Sequence, residues 1–293
     1  MDITLALGGG GAKGNSHIGV IRRLEKEGFK IRSVAGTSFG GLVAILYAAG
    51  LSADEIEEVF TSTDQGSLYV RDSKDGPSLL GLSGARKLLD TILGEKTFDD
   101  LKIPCAVTAV DAKTGNEVTI SKGQLKDAVL ATIALPGIFP PLQMDDWELV
   151  DGGILNPVPV SLARMLSPDL PIVAVVLNDS LEAPLRTYTI PVPAMLPKQI
   201  TDRIYRTHVA QAFDIFMRAV DLSSRAVAHY RLEVDAPDVI IRPDVHHLDL
   251  LDKVVVKDVA MLGEMAVEAV LPQLRKATSW PSRMNKILFG GKR

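Results

Sequence analysis

Two rhythms of apolar and polar positions run along the 293 residues. Apolar runs of strand length stand at residues 3–7, 31–35, 104–109, 117–120, 147–150, 172–177 and 239–241. Several are too uniformly apolar for a half-wet sheet, so they predict buried strands. Between them the period becomes that of a helix. Ile18, Ile21 and Leu24 share one face, Arg22, Arg23, Lys26 and Glu27 lie elsewhere, and Gly28 ends the segment. Phe39, Leu42, Val43 and Leu46 repeat the spacing over residues 38–49. Further helices are predicted at 54–60, 84–93, 158–166, 198–230 and 253–274. Strands alternating with helices predict an α/β fold with a mostly parallel central sheet.

Three stretches need separate readings. Residues 33–53, between Arg32 and Asp54, carry no charge and approach the length of a membrane span. Gly36, Gly40, Gly41 and Gly50 break the run and Ser33, Thr37 and Ser38 are polar, which predicts a strand, a turn and a buried helix instead. Residues 181–197 carry Pro184, Pro191, Pro193 and Pro197 and predict neither a helix nor a central strand. They read first as a surface connection and alternatively as a flap over a site. After Glu268 no acidic residue follows, while Arg275, Lys276, Arg283, Lys286, Lys292 and Arg293 accompany Trp280, Ile287, Leu288 and Phe289. Such a tail suits an anionic membrane surface as well as it suits a solvated terminus.

Composition narrows the class. Hydrophobic residues make 46% and charged residues 23%, which excludes a disordered or collagen-like chain. Thirty-two basic and 36 acidic residues leave a net charge of −4, too balanced for a nucleic-acid footprint. One cysteine, Cys105, allows neither an intramolecular disulfide nor a cysteine-based zinc site, and it suits a reducing compartment. The first residues lack the basic start and apolar run of a secretory signal. A cytoplasmic location, with peripheral membrane contact through the tail, is the expectation.

The candidate chemistry sits at strand ends. Gly36-Thr37-Ser38-Phe39-Gly40 is a G-x-S-x-G pentapeptide between an apolar strand and an apolar helix. A turn this tight presents Ser38 Oγ at a helix N-terminus, where backbone N–H groups favour developing negative charge. The competing role is a helix N-cap. Gly9-Gly10-Gly11-Ala12-Lys13-Gly14 also follows a strand and precedes a helix. A dinucleotide site there would want a carboxylate at the end of the second strand, and Val34-Ala35-Gly36-Thr37-Ser38 offers none. An oxyanion hole lined by glycine N–H groups, with Lys13 adding positive charge, is the better reading. A serine also needs a base. None of His17, His208, His229, His246 and His247 lies in a strand-end loop late in the sheet, and His17, in the first helix, reads as structural. His246, His247 and Asp249 lack metal-ligand spacing. Asp151 follows the strand at 147–150 and precedes Gly152-Gly153, which allow close approach of the backbone. An Asp-Gly turn is its bland reading, and Asp145 and Asp146 are solvated rivals.

Taken together these blocks resemble the patatin-like phospholipase family, and the chain looks like a bacterial member of it. The resemblance also rests on His17-Ile18-Gly19-Val20, on Leu135-Pro136-Gly137-Ile138-Phe139-Pro140-Pro141 and on Asn156-Pro157-Val158-Pro159, and it covers about residues 3–165. It implies a patatin-like three-layer α/β sandwich with a catalytic core at 3–165. Residues 166–275 would complete the same domain with flap and helices, and 276–293 would form the basic tail. It implies a Ser38–Asp151 dyad, an oxyanion hole from Gly9, Gly10, Gly11, Lys13 and Gly14, and motif glycines at Gly36, Gly40, Gly152 and Gly153. The expected reaction is hydrolysis of fatty acyl esters of phospholipids or related lipids, of phospholipase A type, without metal or cofactor. The alternatives are an acyltransferase or thioesterase on the same dyad, a non-catalytic lipid-binding module, and a dinucleotide-binding protein. An ordinary aspartate base would stay ionised below pH 6 unless burial raised its pKa.

Overall fold

The computed structural model describes residues 1–73, 75–191, 205 and 207–279. Strands β1 (Asp2–Leu7), β2 (Lys30–Thr37), β3 (Cys105–Asp111), β4 (Glu117–Ile120), β5 (Leu142–Met144), β6 (Trp147–Asp151), β7 (Ile172–Val175) and β8 (Val239–Ile241) form one sheet. Its order is β5-β6-β3-β2-β1-β7-β8, with β4 paired to β3. From β3 to β8 the pairings are parallel; those made by β4, β5 and β6 are antiparallel. The helices are α1 (Ser16–Lys26), α2 (Phe39–Ala48), α3 (Ala53–Ser62), α4 (Ser83–Leu93), α5 (Leu125–Thr132), α6 (Val160–Leu166), α7 (His208–Asp235) and α8 (Val256–Ala277).

Side-chain size assigns the two faces of the sheet. Along β1, β2 and β3, Leu5, Leu7, Val34 and Val107 point into a large core with residues of α1 to α5 and α8. The alternate positions Ala6, Ala35 and Ala106 meet Val160, Leu162 and Ala163 of α6 and Leu232 of α7 on the other face. Period-two alternation thus places bulk on one side and close helix approach on the other. Because β1 pairs β7 and β7 pairs β8, the residues beyond 165 extend the same sheet.

The uncharged run at 33–53 resolves into the end of β2, a turn and α2, and Ser52 then caps α3 in a capping box with Glu55. No described helix is long and apolar enough to cross a membrane. Two elements lay outside the sequence reading. Helix α5 is apolar on most sides and its Gln124 makes no side-chain cap, so neither period nor boundary marks it. Strand β5 has only three residues, none fully buried. The helix expected over 198–230 is described from Thr207, whose Oγ accepts from Ala210 N–H, and runs on to Asp235. Residues 192–204 of its approach, and residues 280–293 of the basic tail, lie outside the described residues.

Candidate active site

Strand β3 brings the two candidate reacting groups together. Its residues Val107 and Thr108 pair β4 on one edge and β2 on the other, with Thr37 opposite Thr108. Ala109, the next residue, pairs β4 and Asp151 of β6. Strands β2 and β6 therefore follow one another along the same edge of β3. The end of β2 and the end of β6 meet there. Ser38 Oγ donates to Asp151 Oδ2 at 2.5 Å, and Gly153 N–H donates to Asp151 Oδ1 at 2.7 Å.

Ser38 has φ 55° and ψ −130°, a backbone conformation that L residues rarely adopt and that costs on the order of 1–3 kcal/mol. Its side chain does not cap α2, which removes the N-cap role. The turn is clamped from several sides. Ser38 N–H donates to Thr132 Oγ1 (2.9 Å), which donates to Thr108 C=O (2.7 Å). Thr37 Oγ1 donates to Asn156 C=O and lies 2.8 Å from Thr108 Oγ1. A Cβ on Gly40 would stand 2.3 Å from the Leu7 carbonyl oxygen and 2.5 Å from that of Gly8, and one on Gly36 would strike the backbone of Gly40 and Gly41. The pentapeptide glycines thus let α2 start against the end of β1. Gly152 lies tight against Thr108 in the same manner.

The glycine loop divides into parts. Gly9 N–H donates to Pro157 C=O and Lys13 N–H to Gly10 C=O, while Gly14 sits inside a short helical turn against Phe39. Among the described residues no carbonyl accepts from the N–H of Gly10 or Gly11, both of which border the cavity with Ser38. Gly9, by lacking a side chain, makes room for Ser38 instead of facing it with a donor. Lys13, expected to add positive charge beside the loop, has a partner within the protein. Its Nζ lies 3.5 Å from Asp179 Oδ1. Burial draws its pKa below the ordinary lysine value, with Asp179 pulling it back.

Asp151 is 4% exposed, and burial pushes its pKa up to about 6 against the opposing pull of the Ser38 and Gly153 hydrogen bonds. His17 is fully buried, and its Nε2 lies 2.8 Å from the Gly8 carbonyl oxygen, so a neutral Nε2–H tautomer braces the loop from beneath. Burial draws its pKa down to about 4. His246 and His247 are exposed, as are Asp145 and Asp146. Among the described residues no cluster of three metal-ligating side chains occurs.

Ser38 and Asp151 open into a cavity of about 520 Å³, within the ordinary range for small-molecule sites. Its walls are mainly apolar, with Leu42, Leu89, Phe139 and Leu251 among them. Tyr188, in the proline-bearing stretch, also lines it, and its N–H donates to Asp214 of α7. The stretch is irregular as far as residue 191. Thr132, Asn156 and Asp179 escaped the residue-level reading. Asn156 carried a signal in its Asn-Pro block, while Thr132 and Asp179 depend on neighbours distant in the chain.

The sequence model of the patatin-like phospholipase family matches residues 5–164. The chain is 38% identical over 187 residues to an uncharacterized NTE family protein of Mycobacterium tuberculosis, covering 63% of this chain and 51% of that one. A second uncharacterized NTE family protein of that organism is 28% identical over 272 residues, covering 91% and 46%. Patatin-like phospholipase domain-containing protein 6 of Mus musculus is 31% identical over 194 residues, 64% of this chain and 14% of that protein. The chain thus spans about half the length of its mycobacterial relatives. Among solved structures, VipD from Legionella pneumophila aligns with a TM-score of 0.50 at 13% identity, over 92% of this chain and 66% of that one, a likeness of fold.

Proposed function

Since the chain belongs to the patatin-like phospholipase family, we propose that it is a serine acyl hydrolase acting on fatty acyl esters of phospholipids or related lipids. The observation that carries this reading is the 2.5 Å hydrogen bond from Ser38 Oγ to Asp151 at the wall of a largely apolar cavity. Ser38 Oγ attacks the acyl carbon while Asp151 accepts its proton. The Gly10 and Gly11 N–H groups hold the oxyanion. Asp151 returns the proton to the departing alcohol oxygen, leaving an acyl ester on Ser38. It then takes a proton from the water that cleaves this ester, and Ser38 recovers its own. The apolar walls take the acyl chain. Residues 3–165 form the catalytic core in this reading, and 166–275 complete the same domain.

A fluorophosphonate places its phosphoryl oxygen where the oxyanion forms and needs nucleophile, donors and base together. The expected outcome is one phosphonyl adduct per chain, on the peptide containing Ser38, and none in Ser38→Ala. Asp151→Asn should slow labelling by about 100-fold or more. Replacing each histidine by Gln should leave labelling within a few-fold. His17 acts on labelling only through the loop it braces, so a folded variant of His208, His229, His246 or His247 that labels as poorly as Ser38→Ala would refute the dyad.

A further inference from the structure

Helix α7 is amphipathic in the reverse sense to a surface helix. Ala210, Met217, Arg225, Ala228 and Leu232 face the protein. The side nearest them also carries Asp214, Asp221 and Arg225, whose charges are used internally. Asp214 receives Arg218 and the Tyr188 N–H, Asp221 receives Arg225, and Arg225 reaches Asp179. The opposite side carries Val209, Ile215, Phe216, Leu222, Tyr230 and Val234, each between 45 and 82% exposed. At about 100° per residue these six fall within an arc of roughly 140°. From Val209 to Val234 the strip is about 38 Å long. His208 at its start and Glu233 near its end are the ionisable side chains on that arc. Continuous exposed apolar surface of this length marks a contact site.

The cavity identifies what the contact is with. Phe216 lies on the strip and lines the cavity that holds Ser38, and its neighbours Ala219, Val220 and Ser223 line that cavity too. The strip therefore meets the cavity wall at Phe216. We infer that this face of α7 lies in the hydrocarbon–headgroup boundary of a lipid bilayer, so that an acyl chain passes into the cavity without crossing water. The inference rests on the acyl-hydrolase reading for its choice of lipid as partner. The scarcity of charge on the arc fits uncharged or zwitterionic lipid, and the contact is made by burial of apolar side chains rather than by phosphate recognition. A protein partner on the same face would cover the cavity mouth.

The test uses the full chain carrying Ser38→Ala, so that vesicles stay intact, with and without Val209→Glu, Ile215→Glu and Leu222→Glu. These three positions are exposed and outside the cavity lining. Vesicles of pure phosphatidylcholine and of phosphatidylcholine with phosphatidylserine are sedimented at low and high salt. The parent should bind both, with little dependence on salt. The triple-Glu chain should bind roughly tenfold or more weakly, a loss of about 1.4 kcal/mol. With Ser38 restored, the triple-Glu chain should hydrolyse a soluble short-chain ester within about twofold of the parent. Unchanged vesicle binding by the triple-Glu chain overturns the inference. So does binding that requires anionic lipid and vanishes at high salt, which is the signature of the basic tail. So does a parent dimer that the glutamates dissociate while vesicle binding persists, which would make the face an interface between two copies. Failure of the unsubstituted chain to hydrolyse any soluble ester counts against the acyl-hydrolase reading instead, and the vesicle result stands apart from it.

Discussion

Asp151 and His17 are buried titratable groups with opposite demands on pH. The folded protein binds the Asp151 proton more tightly than an unfolded chain, because its pKa is pushed up to about 6. That group adds stability as pH falls through 6 toward 4. His17, drawn down to about 4, refuses a proton that the unfolded chain accepts near 6.5, so it removes stability over the same window. Each effect is on the order of 3 kcal/mol, and the two nearly cancel. Asp151→Asn removes the first alone. It keeps an acceptor for Gly153 N–H and a partner for Ser38. It should therefore be more stable than the parent by up to about 3 kcal/mol at pH 7, and the advantage should vanish near pH 4. Urea unfolding at the two pH values measures this. An Asn variant no more stable at neutral pH would mean that the carboxylate is not held there at a cost. The same burial sets the activity profile: kcat/KM should fall on acidification with a midpoint near pH 6, unlike that of an ordinary aspartate base. Ser38 and Asp151 were readable in the sequence because each follows an apolar strand beside glycines. The free donors of the glycine loop were not, because Gly9 N–H is taken by Pro157, far away in the chain.

At the scale of elements, the sequence showed the alternation of strand and helix but not how tightly the elements meet. The pentapeptide predicts a sharp turn; that α2 starts in contact with the end of β1 is a fact of packing. Gly40→Ala tests it. The added Cβ would meet the carbonyl oxygens of Leu7 and Gly8, which lead into the glycine loop and have no room to retreat. The expected cost is about 3 kcal/mol or more, with loss of fluorophosphonate labelling in whatever folds. Gly28→Ala is the contrast. Nothing lies within 4 Å of that position, and its φ of 82° alone should cost about 1–2 kcal/mol with labelling intact. Equal stability of the two variants would show that the elbow tolerates a side chain. Strand ends and helix faces are legible because they repeat. Helix α5 was not, since a segment apolar on most sides has no periodic signature, yet it supplies Thr132 to the Ser38 turn.

Over the whole molecule, one carboxylate ties the glycine loop to the later half of the chain. Asp179, just beyond β7, receives Lys13 from the glycine loop, Arg186 from the proline-bearing stretch and Arg225 from α7. Arg186 also reaches Asp249 and the Leu248 carbonyl, close to Leu250, whose C=O accepts from Ala12 N–H. Like Asp151, Asp179 follows an apolar strand, but Ser180-Leu181 stands after it in place of Gly152-Gly153. What separates them in space is pairing: β6 continues β2 along β3, whereas β7 lies on the far edge of β1, so Asp179 meets Lys13 rather than Ser38. The glycines after Asp151 are the local mark that separates the two, while the partners of Asp179 are set by strand order alone. Asp179→Ala would leave three little-exposed cations short of their shared partner. Removing one member of such a buried group costs about 3–5 kcal/mol. For a chain of this size that is a fall in Tm of roughly 10 °C. Asp127→Ala, which breaks only a 3.9 Å surface pair with Arg86, should cost about 1 kcal/mol or less. Because Lys13 lies within the loop that carries Gly10 and Gly11, Asp179→Ala should also slow phosphonylation of Ser38 below the melting transition, while Asp127→Ala should not. If Asp179→Ala melts with the parent and labels at the parent rate, the cluster is an ornament of the surface and the glycine loop is held by its backbone bonds alone.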